Sequence, residues 1–290
     1  MRLAAVVSTC VALALICGKA IAWWQTGSVS LLSSLLDSSL DLLASLVTLL
    51  SVRHALTPAD REHRFGHGKA EALAGLVQSG FIGASAIWLL IAAGDRLLSP
   101  RPVQAEMLGI GVMLGSIALT LGLVLFQRHV IRQTGSLAIG ADHLHYKSDL
   151  LTNAGVILAL VLASRFDLPI ADPIIATLIA LVILKSAADI GVTAYNVLMD
   201  RELPDEARER IKAIVRSHGR VHDVHDLRTR TSGVTTFIQL HMELEPEMPL
   251  REAHEIADDV ESAIRAEFPG AEIIIHQDPE GVEEARQSFG

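Results

Sequence analysis

The chain has few cysteines and no recognisable nucleotide-binding motif. Its two cysteines, Cys10 and Cys17, both fall in the first apolar segment, so the sequence lacks a disulfide framework and needs no oxidising compartment. We expect both to be small core residues. The "GHGK" at residues 66–69 is not a phosphate-binding loop, because position 63 is His rather than Gly and Lys69 precedes Ala. We therefore expect no nucleotide as an energy source.

Aromatic residues are also scarce, at 4%, whereas half of the 290 residues are hydrophobic. A soluble domain rarely reaches this balance, which favours a polytopic membrane protein with a soluble appendage. Residues 1–199 carry 13 Lys and Arg against 12 Asp and Glu, whereas residues 200–290 carry 11 against 21. The acidic tail argues against nucleic acid or anionic lipid as its partner and is compatible with cations. We predict a transmembrane domain at 1–199 and a cytoplasmic domain at 200–290.

Six apolar segments are long enough to cross a bilayer as helices. They lie at about residues 2–24, 30–52, 70–98, 105–129, 137–163 and 172–198. The first also has features of a signal peptide, but its apolar run continues to Trp23 and Trp24, a pair suited to an interfacial aromatic belt. We interpret it as a spanning helix, with Lys19 extending toward the interface near one end.

The distribution of basic residues predicts that both termini are cytoplasmic. Six spans place the two ends of a chain on the same side of the membrane. With the N-terminus inside, the inner loops hold more basic residues than the outer loops. The inner ones are Arg53, Arg61, Arg64, Lys69, Arg128 and Arg132, and the outer ones are Arg96, Arg101 and Arg165.

The tail has the pattern of a small α+β domain in the order α-β-β-α-β. Residues 203–219 predict a helix, with proline and acids in the first turn and glycine at the end. The stretch "VTTFIQLHMEL" alternates apolar and polar residues, as in a half-buried strand. Residues 249–268 are amphipathic, and "AEIIIHQD" predicts a short strand. The predicted fold is thus an all-α six-helix membrane bundle followed by this domain.

Two pairs of polar residues stand inside predicted spans. Asp37 and Asp41 are four residues apart in the second span, and His145 and Asp149 are four apart in the fifth. Each pair projects from one helix face. An Asp at the centre of a membrane helix costs about 3 kcal/mol, so a compensating ligand is expected. Together the pairs can form a four-ligand cage of the kind Zn²⁺ accepts.

Neighbouring residues leave the ligand set of this cage partly open. Asp142 shares the face of His145 and Asp149, so its spacing does not exclude it as a ligand. Its position near the start of the span suggests instead a mouth residue or an N-terminal helix cap. His143 points elsewhere, and Asn153 is a candidate for orienting a ligand.

The loop between the second and third spans is a further candidate metal site. Asp60, His63 and His67 can approach one another in a turn that contains Gly66 and Gly68. A polar cytoplasmic loop with two surface histidines is an equally good interpretation. In the tail, His241 lies on the polar face of its strand, and His276 and Asp278 share one strand face, so they can converge on a metal.

These motifs resemble those of the cation diffusion facilitator family, in particular its bacterial YiiP (ferrous-iron efflux) branch. The resemblance covers nearly the whole chain, through "DSSLD", "HYKSD", "FGHGKAEALAG", "HDLRTRTSG", "FIQLHMELE" and "IIIHQDP". It implies a homodimer in the bacterial inner membrane that exports divalent metal in exchange for protons. The implied sites are a transport site of Asp37, Asp41, His145 and Asp149, a loop site of Asp60, His63 and His67, and a binuclear cytoplasmic site of His225, His241, His254, His276 and Asp278. The additional His222 has no counterpart that we can assign.

The chemistry of the cage is itself compatible with exchange, since metal and protons compete for the same carboxylate and imidazole atoms. We expect a non-enzymatic, secondary-active transporter that works by alternating access, with Zn²⁺ bound in the tail stabilising the dimer. Zn²⁺ and Cd²⁺ suit one imidazole with three carboxylates, while Fe²⁺ and Mn²⁺ stay open as alternatives. A passive channel would need weaker ligands, and a membrane metalloenzyme would need an open coordination position.

Overall fold

The computed structural model describes residues 1–26, 29–98, 107–166 and 170–282. Its first part contains six long helices, each of which is long enough to cross the ~30 Å hydrocarbon core. They are α1 (Arg2–Thr26), α2 (Val29–Ala55), α3 (Lys69–Leu98), α4 (Met107–Thr134), α5 (Leu137–Phe166) and α6 (Ala171–Leu198). All six predicted spans are therefore helical. Arg101, assigned to an outer loop by the sequence, lies outside the described residues.

Five of these helices are also apolar enough to span a membrane; among the described residues, only α5 is not counted with them. The described part of α5 is polar: Asp142, His145, Lys147 and Asp149 follow one another over about two turns. A helix of this kind is tolerated in lipid only when its polar groups face other helices or a hydrated cavity. The polar composition of α5 thus indicates that this helix contributes residues to a functional site.

Helix α5 packs against α2, α3 and α4, while α1 packs against α2 and α4. Small residues allow close approach: Ala4, Ala5 and Ala138 are fully buried in one cluster with Val52 and Ile139. Large apolar side chains such as those of Leu36, Leu40 and Leu50 face outward on α2, as expected of a surface in contact with lipid.

The prediction that both cysteines are core residues is wrong. Cys10 and Cys17 are free thiols on the exposed face of α1, rather than core residues. They are seven residues apart on one helix, a rise of about 10 Å, which is too far for a disulfide bond. Sequence pattern could not assign them to a face, because α1 is apolar on all sides.

The second compact unit begins at Asn196 and has the predicted order of elements. It contains α7 (Asp205–Arg216), β1 (Asp223–Ser232), β2 (Thr235–Leu244), α8 (Leu250–Glu267) and β3 (Glu272–Pro279). The sheet order is β1-β2-β3, with β1 and β2 antiparallel and β2 and β3 parallel. The predicted fold class, a helical membrane domain followed by a small α+β domain, is confirmed.

A single hydrophobic core holds this second unit together. The alternation along β2 is the predicted one, and its inward residues are all buried with the apolar stripe of α8. They are Ile238, Leu240, Met242 and Leu244 on β2, and Ala253, Ile256, Ala257, Val260 and Ile264 on α8. Since that face of β2 is covered by helices, the polar residues of the strand lie on the opposite face of the sheet.

Candidate metal centres

Asp41 on α2 and His145 and Asp149 on α5 form one group in the membrane unit. Asp41 Oδ1 lies 2.8 Å from His145 Nε2, which in turn lies 4.0 Å from Asp149 Oδ2. One ligand atom from each residue lies within 4.8 Å of the others. The one-turn spacing of His145 and Asp149 aligns them on α5, and contact between α5 and α2 brings in Asp41. Two carboxylates and an imidazole in this arrangement can hold a divalent cation.

Asp37 is the predicted ligand that stands apart from this group. It lies on α2 one turn before Asp41, and its side chain is exposed. The charges of Asp41 and Lys19 act on its carboxylate, so it is near the group without being one of its three members. Its role as the fourth ligand stays a prediction.

Lys19 lies closer to this centre than its predicted interfacial position. Its Nζ donates a hydrogen bond to Ser38 Oγ on α2 at 2.7 Å, and it interacts electrostatically with Asp41, Asp149 and Asp37. The prediction that Lys19 reaches toward the interface is therefore wrong. An ammonium group here partly compensates the carboxylates.

Asp142 is completely buried, so it is neither a mouth residue nor a helix cap. The N-terminus of α5 is capped instead by Ser136, whose Oγ accepts a hydrogen bond from the Ile139 N–H at 3.3 Å. The same hydroxyl donates to Glu71 Oε2 on α3 at 2.9 Å. Position near the start of a span misled the prediction, because α5 begins more than a turn before Asp142 and presents it inward.

The carboxylate of Asp142 joins four helices through hydrogen bonds. Its Oδ2 accepts from Ser8 Oγ on α1 at 2.5 Å and from Gln127 Nε2 on α4 at 2.7 Å. Its Oδ1 accepts from Ser45 Oγ on α2 at 3.4 Å, and Ser45 Oγ is 2.8 Å from the hydroxyl of Tyr146. This network fixes α5 one turn before His145, so we assign Asp142 a positioning role.

The three predicted loop residues also come together. His67 Nε2 lies 3.4 Å from Asp60 Oδ2, and His63 Nδ1 lies 3.3 Å from Asp60 Oδ1. His67 Nδ1 lies 3.4 Å from the carbonyl oxygen of Thr57. That contact directs Nε2 toward Asp60, as expected of a metal-binding imidazole. The turn depends on Gly66, whose φ of 74° is unfavourable for other residues.

The loop also holds Asp60 in its charged form. The backbone N–H of His63 donates to Asp60 Oδ1 at 2.6 Å, and the backbone N–H of Glu62 donates to the same atom at 2.9 Å. These hydrogen bonds, foremost that from His63, lower the pKa of Asp60 below its ordinary value. Oδ2 is left directed at His67, so the carboxylate is ready to bind a cation.

The cytoplasmic group is built by the register of the sheet. His225 on β1 pairs with His241 on β2, which pairs with His276 on β3. Residues at paired positions share a face, so three imidazoles stand side by side across three strands. The ring centroids are 5.3 Å apart for His225 and His241 and 4.7 Å apart for His241 and His276.

Asp278 is the common partner of these histidines. Its Oδ2 lies 2.8 Å from His241 Nδ1 and 3.3 Å from His225 Nε2, while its Oδ1 lies 3.0 Å from His276 Nε2. A carboxylate that uses both oxygens in this way can bridge two metal ions. Glu243 adds a second carboxylate, 3.2 Å from His225 Nδ1, and sequence pattern alone had not singled it out.

Two further histidines lie away from this cluster. His254, a ligand implied by the family resemblance, is on α8 with its side chain 68% exposed, and its Nε2 is 3.6 Å from Asp258. It is not joined to the other four within this chain. His222, whose role the sequence left open, pairs with Glu280 at 2.7 Å. It precedes β1 at the end of the sheet, where its backbone N–H donates to the Glu243 carbonyl oxygen at 2.9 Å, so it lies apart from the cluster despite its closeness in sequence to His225.

Comparisons with known proteins define the class of this protein. The family profile for the cation efflux transmembrane domain matches residues 5–199, and that for the cytoplasmic domain of cation efflux proteins matches residues 203–280. The cation-efflux pump FieF of Pectobacterium atrosepticum is 51% identical over 279 residues, which cover 96% of this chain and 93% of the relative. FieF of Klebsiella pneumoniae is 50% identical over 284 residues, covering 98% and 94%.

Two solved structures cover less than a third of this chain. CzrB in its Zn form is 39% identical over 30% of this chain and 99% of its own, with a TM-score of 0.28. The metal-bound C-terminal domain of the CzcD transporter from Thermotoga maritima is 26% identical over 27% of this chain and 93% of its own, with a TM-score of 0.26. The matched profiles and pumps identify a polytopic membrane transporter. The chain belongs to the cation efflux family, in its YiiP-like bacterial branch.

Proposed function

We propose that the protein exports a divalent metal cation, foremost Zn²⁺, in exchange for protons. The observation that carries the proposal is the 2.8 Å contact between Asp41 Oδ1 and His145 Nε2, with Asp149 beside it. At this distance an imidazole that carries its proton on Nε2 donates a hydrogen bond to the carboxylate. The atoms that would bind the metal are therefore the atoms that share the proton.

Competition for these atoms supplies the coupling. A metal ion binds Nε2 only after its proton has left, and the carboxylates must be ionised. Protonation from the outside would release the metal, and deprotonation on the inside would restore the site. Lys19 favours the metal-free state, since its positive charge repels a cation from Asp41 and Asp149.

Alternating access would require the ligands to remain together while the surrounding helices move. Asp41 lies on α2 and the other two ligands on α5, so these helices should rock as a pair about the site. Asp37, on the exposed side one turn away, completes the ligand set in one of the two states. This role explains a carboxylate near the group that is not one of its three close members.

Zn²⁺ and Cd²⁺ are the preferred cargo because a ligand set of one imidazole with carboxylates suits both ions. The alternative is an exporter of the same architecture that prefers Mn²⁺ or Fe²⁺, which the oxygen-rich ligand set also favours. Competitive transport by His145→Asp should move selectivity toward Mn²⁺. Unchanged selectivity in this variant would argue against His145 as a ligand.

Proton release on metal binding tests the exchange directly. In a protein whose loop and cytoplasmic groups are disabled by His63→Ala and His241→Ala, Zn²⁺ is titrated calorimetrically in two buffers of different ionisation enthalpy. We expect net release of at least about one proton per Zn²⁺ at neutral pH. Binding without proton release would contradict the proposal.

Variants of the membrane carboxylates provide the controls. Asp41→Asn should abolish this Zn²⁺ binding, because the amide cannot replace the charged ligand. Asp189→Asn, which changes an exposed carboxylate on α6 paired with Lys185, should bind Zn²⁺ and release protons as the parent does. An equal loss of Zn²⁺ binding in both variants would show that the assay responds to any carboxylate of the membrane domain rather than to this site.

For the acidic tail we propose metal binding that stabilises a homodimer. Asp278 and the aligned histidines offer ligands for two ions, and bound Zn²⁺ would offset the repulsion between two acidic domains. The subunit mass of the full-length protein in detergent, measured by light scattering at falling concentration, tests this. Zn²⁺ should lower the protein concentration at which the dimer dissociates. Asp278→Asn should remove this effect, and His218→Ala should not.

A Zn²⁺-independent dimer would contradict this role for the tail.

We further propose that both termini face the cytoplasm of a bacterial inner membrane. In that orientation the tail samples the metal concentration on the side from which the cargo is taken, and the loop residues face the same side. Labelling of a cysteine introduced in the tail, in intact and opened cells, should succeed only after opening.

A further inference from the structure

His54 lies beside the loop group, although the sequence pattern gave no reason to include it. It stands at the penultimate position of α2, and its ring centroid is 4.5 Å from that of His67, with an angle of 61° between the ring planes. The chain turns immediately afterwards, through a hydrogen bond from the Thr57 N–H to the His54 carbonyl oxygen at 2.9 Å. This turn brings Asp60 and His63 back toward the end of α2.

His67 occupies the centre of three imidazoles. Its centroid is 4.5 Å from His54 on one side and 4.6 Å from His63 on the other. Two imidazoles that bind one tetrahedral Zn²⁺ at ~2 Å have ring centroids roughly 5 Å apart. The spacing of the three rings is therefore compatible with binding to one ion. The ligand atoms that already lie within 4.8 Å of one another belong to Asp60, His63 and His67, so the His54 ring would have to rotate to join them. The His54 side chain lies on the exposed surface of the unit and has room for such a rotation.

We propose that His54 is the fourth protein ligand of the loop site, which then consists of three imidazoles and the Asp60 carboxylate. The inference rests on the proposed loop site and extends it. Four protein ligands leave no open position, so the ion would be held as a structural element rather than transferred or used in catalysis. It would tie the C-terminal end of α2, which carries Asp41, to the start of α3.

The two sites should also differ in metal preference. A ligand set with three nitrogens suits Zn²⁺ and Co²⁺, whereas hard ions such as Mn²⁺ prefer oxygen ligands. The membrane group is richer in oxygen, with two carboxylates and one imidazole. Mn²⁺ should therefore compete with Zn²⁺ at the membrane group much more effectively than at the loop.

The test uses full-length protein in detergent in which the other two groups are disabled by Asp41→Asn and Asp278→Asn. Zn²⁺ affinity is measured by competition with a chromophoric chelator. His54→Ala should weaken binding by at least about tenfold, as should His63→Ala. The matched control is His129→Ala, which removes a histidine near the end of another membrane helix, α4, where it pairs with Gln133; it should leave the affinity unchanged.

Co²⁺ provides a second measurement that does not depend on affinity. Co²⁺ is bound to the same Asp41→Asn/Asp278→Asn protein, which serves as the parent. It should give the intense visible absorption of a tetrahedral site, and X-ray absorption should count three imidazoles. In His54→Ala the count should fall to two and the visible bands should weaken as water enters. His54→Gln, which keeps a polar side chain of similar length, should behave in the same way.

The outcomes separate the two claims. If His63→Ala weakens Zn²⁺ binding while His54→Ala and His129→Ala do not, the loop site stands and the assignment of His54 is wrong. If the parent with both other groups disabled binds no Zn²⁺, the loop site itself is wrong and the assignment falls with it. Three imidazoles counted in His54→Ala would also overturn the assignment.

Discussion

Replacing Asp142 by Ala should destabilise the membrane domain and weaken transport together. The substitution removes the acceptor shared by Ser8 and Gln127. Ser8 can turn to Ser45 Oγ, 3.0 Å away, and so loses little. Among the described residues, Gln127 Nε2 donates only to Asp142, and Gln127 Oε1 has no hydrogen-bond partner.

The expected cost follows from these partners. A buried donor left unpaired costs about 1–3 kcal/mol, and a hydrogen bond to a charged group contributes about 1.5–3 kcal/mol. Allowing for overlap between these contributions, we expect a loss of about 2–4 kcal/mol in the free energy of unfolding. Because α5 is no longer fixed one turn before His145, Zn²⁺ affinity at the membrane group should fall as well.

Thermal unfolding in detergent, followed by far-ultraviolet circular dichroism, measures the first effect, and Zn²⁺ titration measures the second. The double variant Gln127→Leu/Asp142→Leu removes donor and acceptor together, so it should cost less than the sum of the two single changes. Asp189→Ala, on an exposed face, should leave stability unchanged. A loss below about 0.5 kcal/mol in Asp142→Ala, or additive costs in the double variant, would refute the reasoning.

Three further predictions concern single groups. Lys19→Met should strengthen Zn²⁺ binding at the membrane group by several-fold and slow its release, because a nearby positive charge is removed; stopped-flow chelation measures the release. Since the pKa of Asp60 is lowered, its contribution to stability is complete above its ordinary value of ~4 and is lost only as pH falls through the lower folded value. Asp60→Asn should thus have the stability–pH profile of the parent above about pH 5, and a shift there would contradict this assignment. In the tail, once the membrane and loop groups are disabled by Asp41→Asn and His63→Ala, His241→Ala should abolish the remaining Zn²⁺ binding by the dilute full-length chain, whereas His254→Ala should retain it; equal losses would place His254 among the ligands.

Periodicity was enough to predict the elements whose two faces differ in polarity. Ile238, Leu240 and Met242 alternate with polar residues on β2, so the strand, its buried face and the position of His241 all followed from the pattern. One-turn spacing likewise paired His145 with Asp149. These are local relations along one element, and a sequence records them directly.

Relations between elements were harder to predict. Helix α1 is apolar on all sides, so no pattern showed that Lys19 turns toward Ser38 or that Cys10 faces outward. The sequence shows how far Asp142 lies from the start of its helix, and this distance suggested a mouth residue or a helix cap. It does not show that the hydroxyls of Ser8 and Ser45, on other helices, donate hydrogen bonds to Asp142. For the same reason His54, at the end of α2, was not connected with the loop that follows.

The central claim, exchange of metal for protons at Asp41, His145 and Asp149, is tested most directly in sealed proteoliposomes. Zn²⁺ entry and internal pH are recorded together with two fluorescent indicators after Zn²⁺ is added outside. We expect Zn²⁺ entry to raise the internal pH as protons leave, and both signals to vanish in Asp41→Asn while persisting in Asp189→Asn. Zn²⁺ entry without proton movement, or normal transport by Asp41→Asn, would contradict the account.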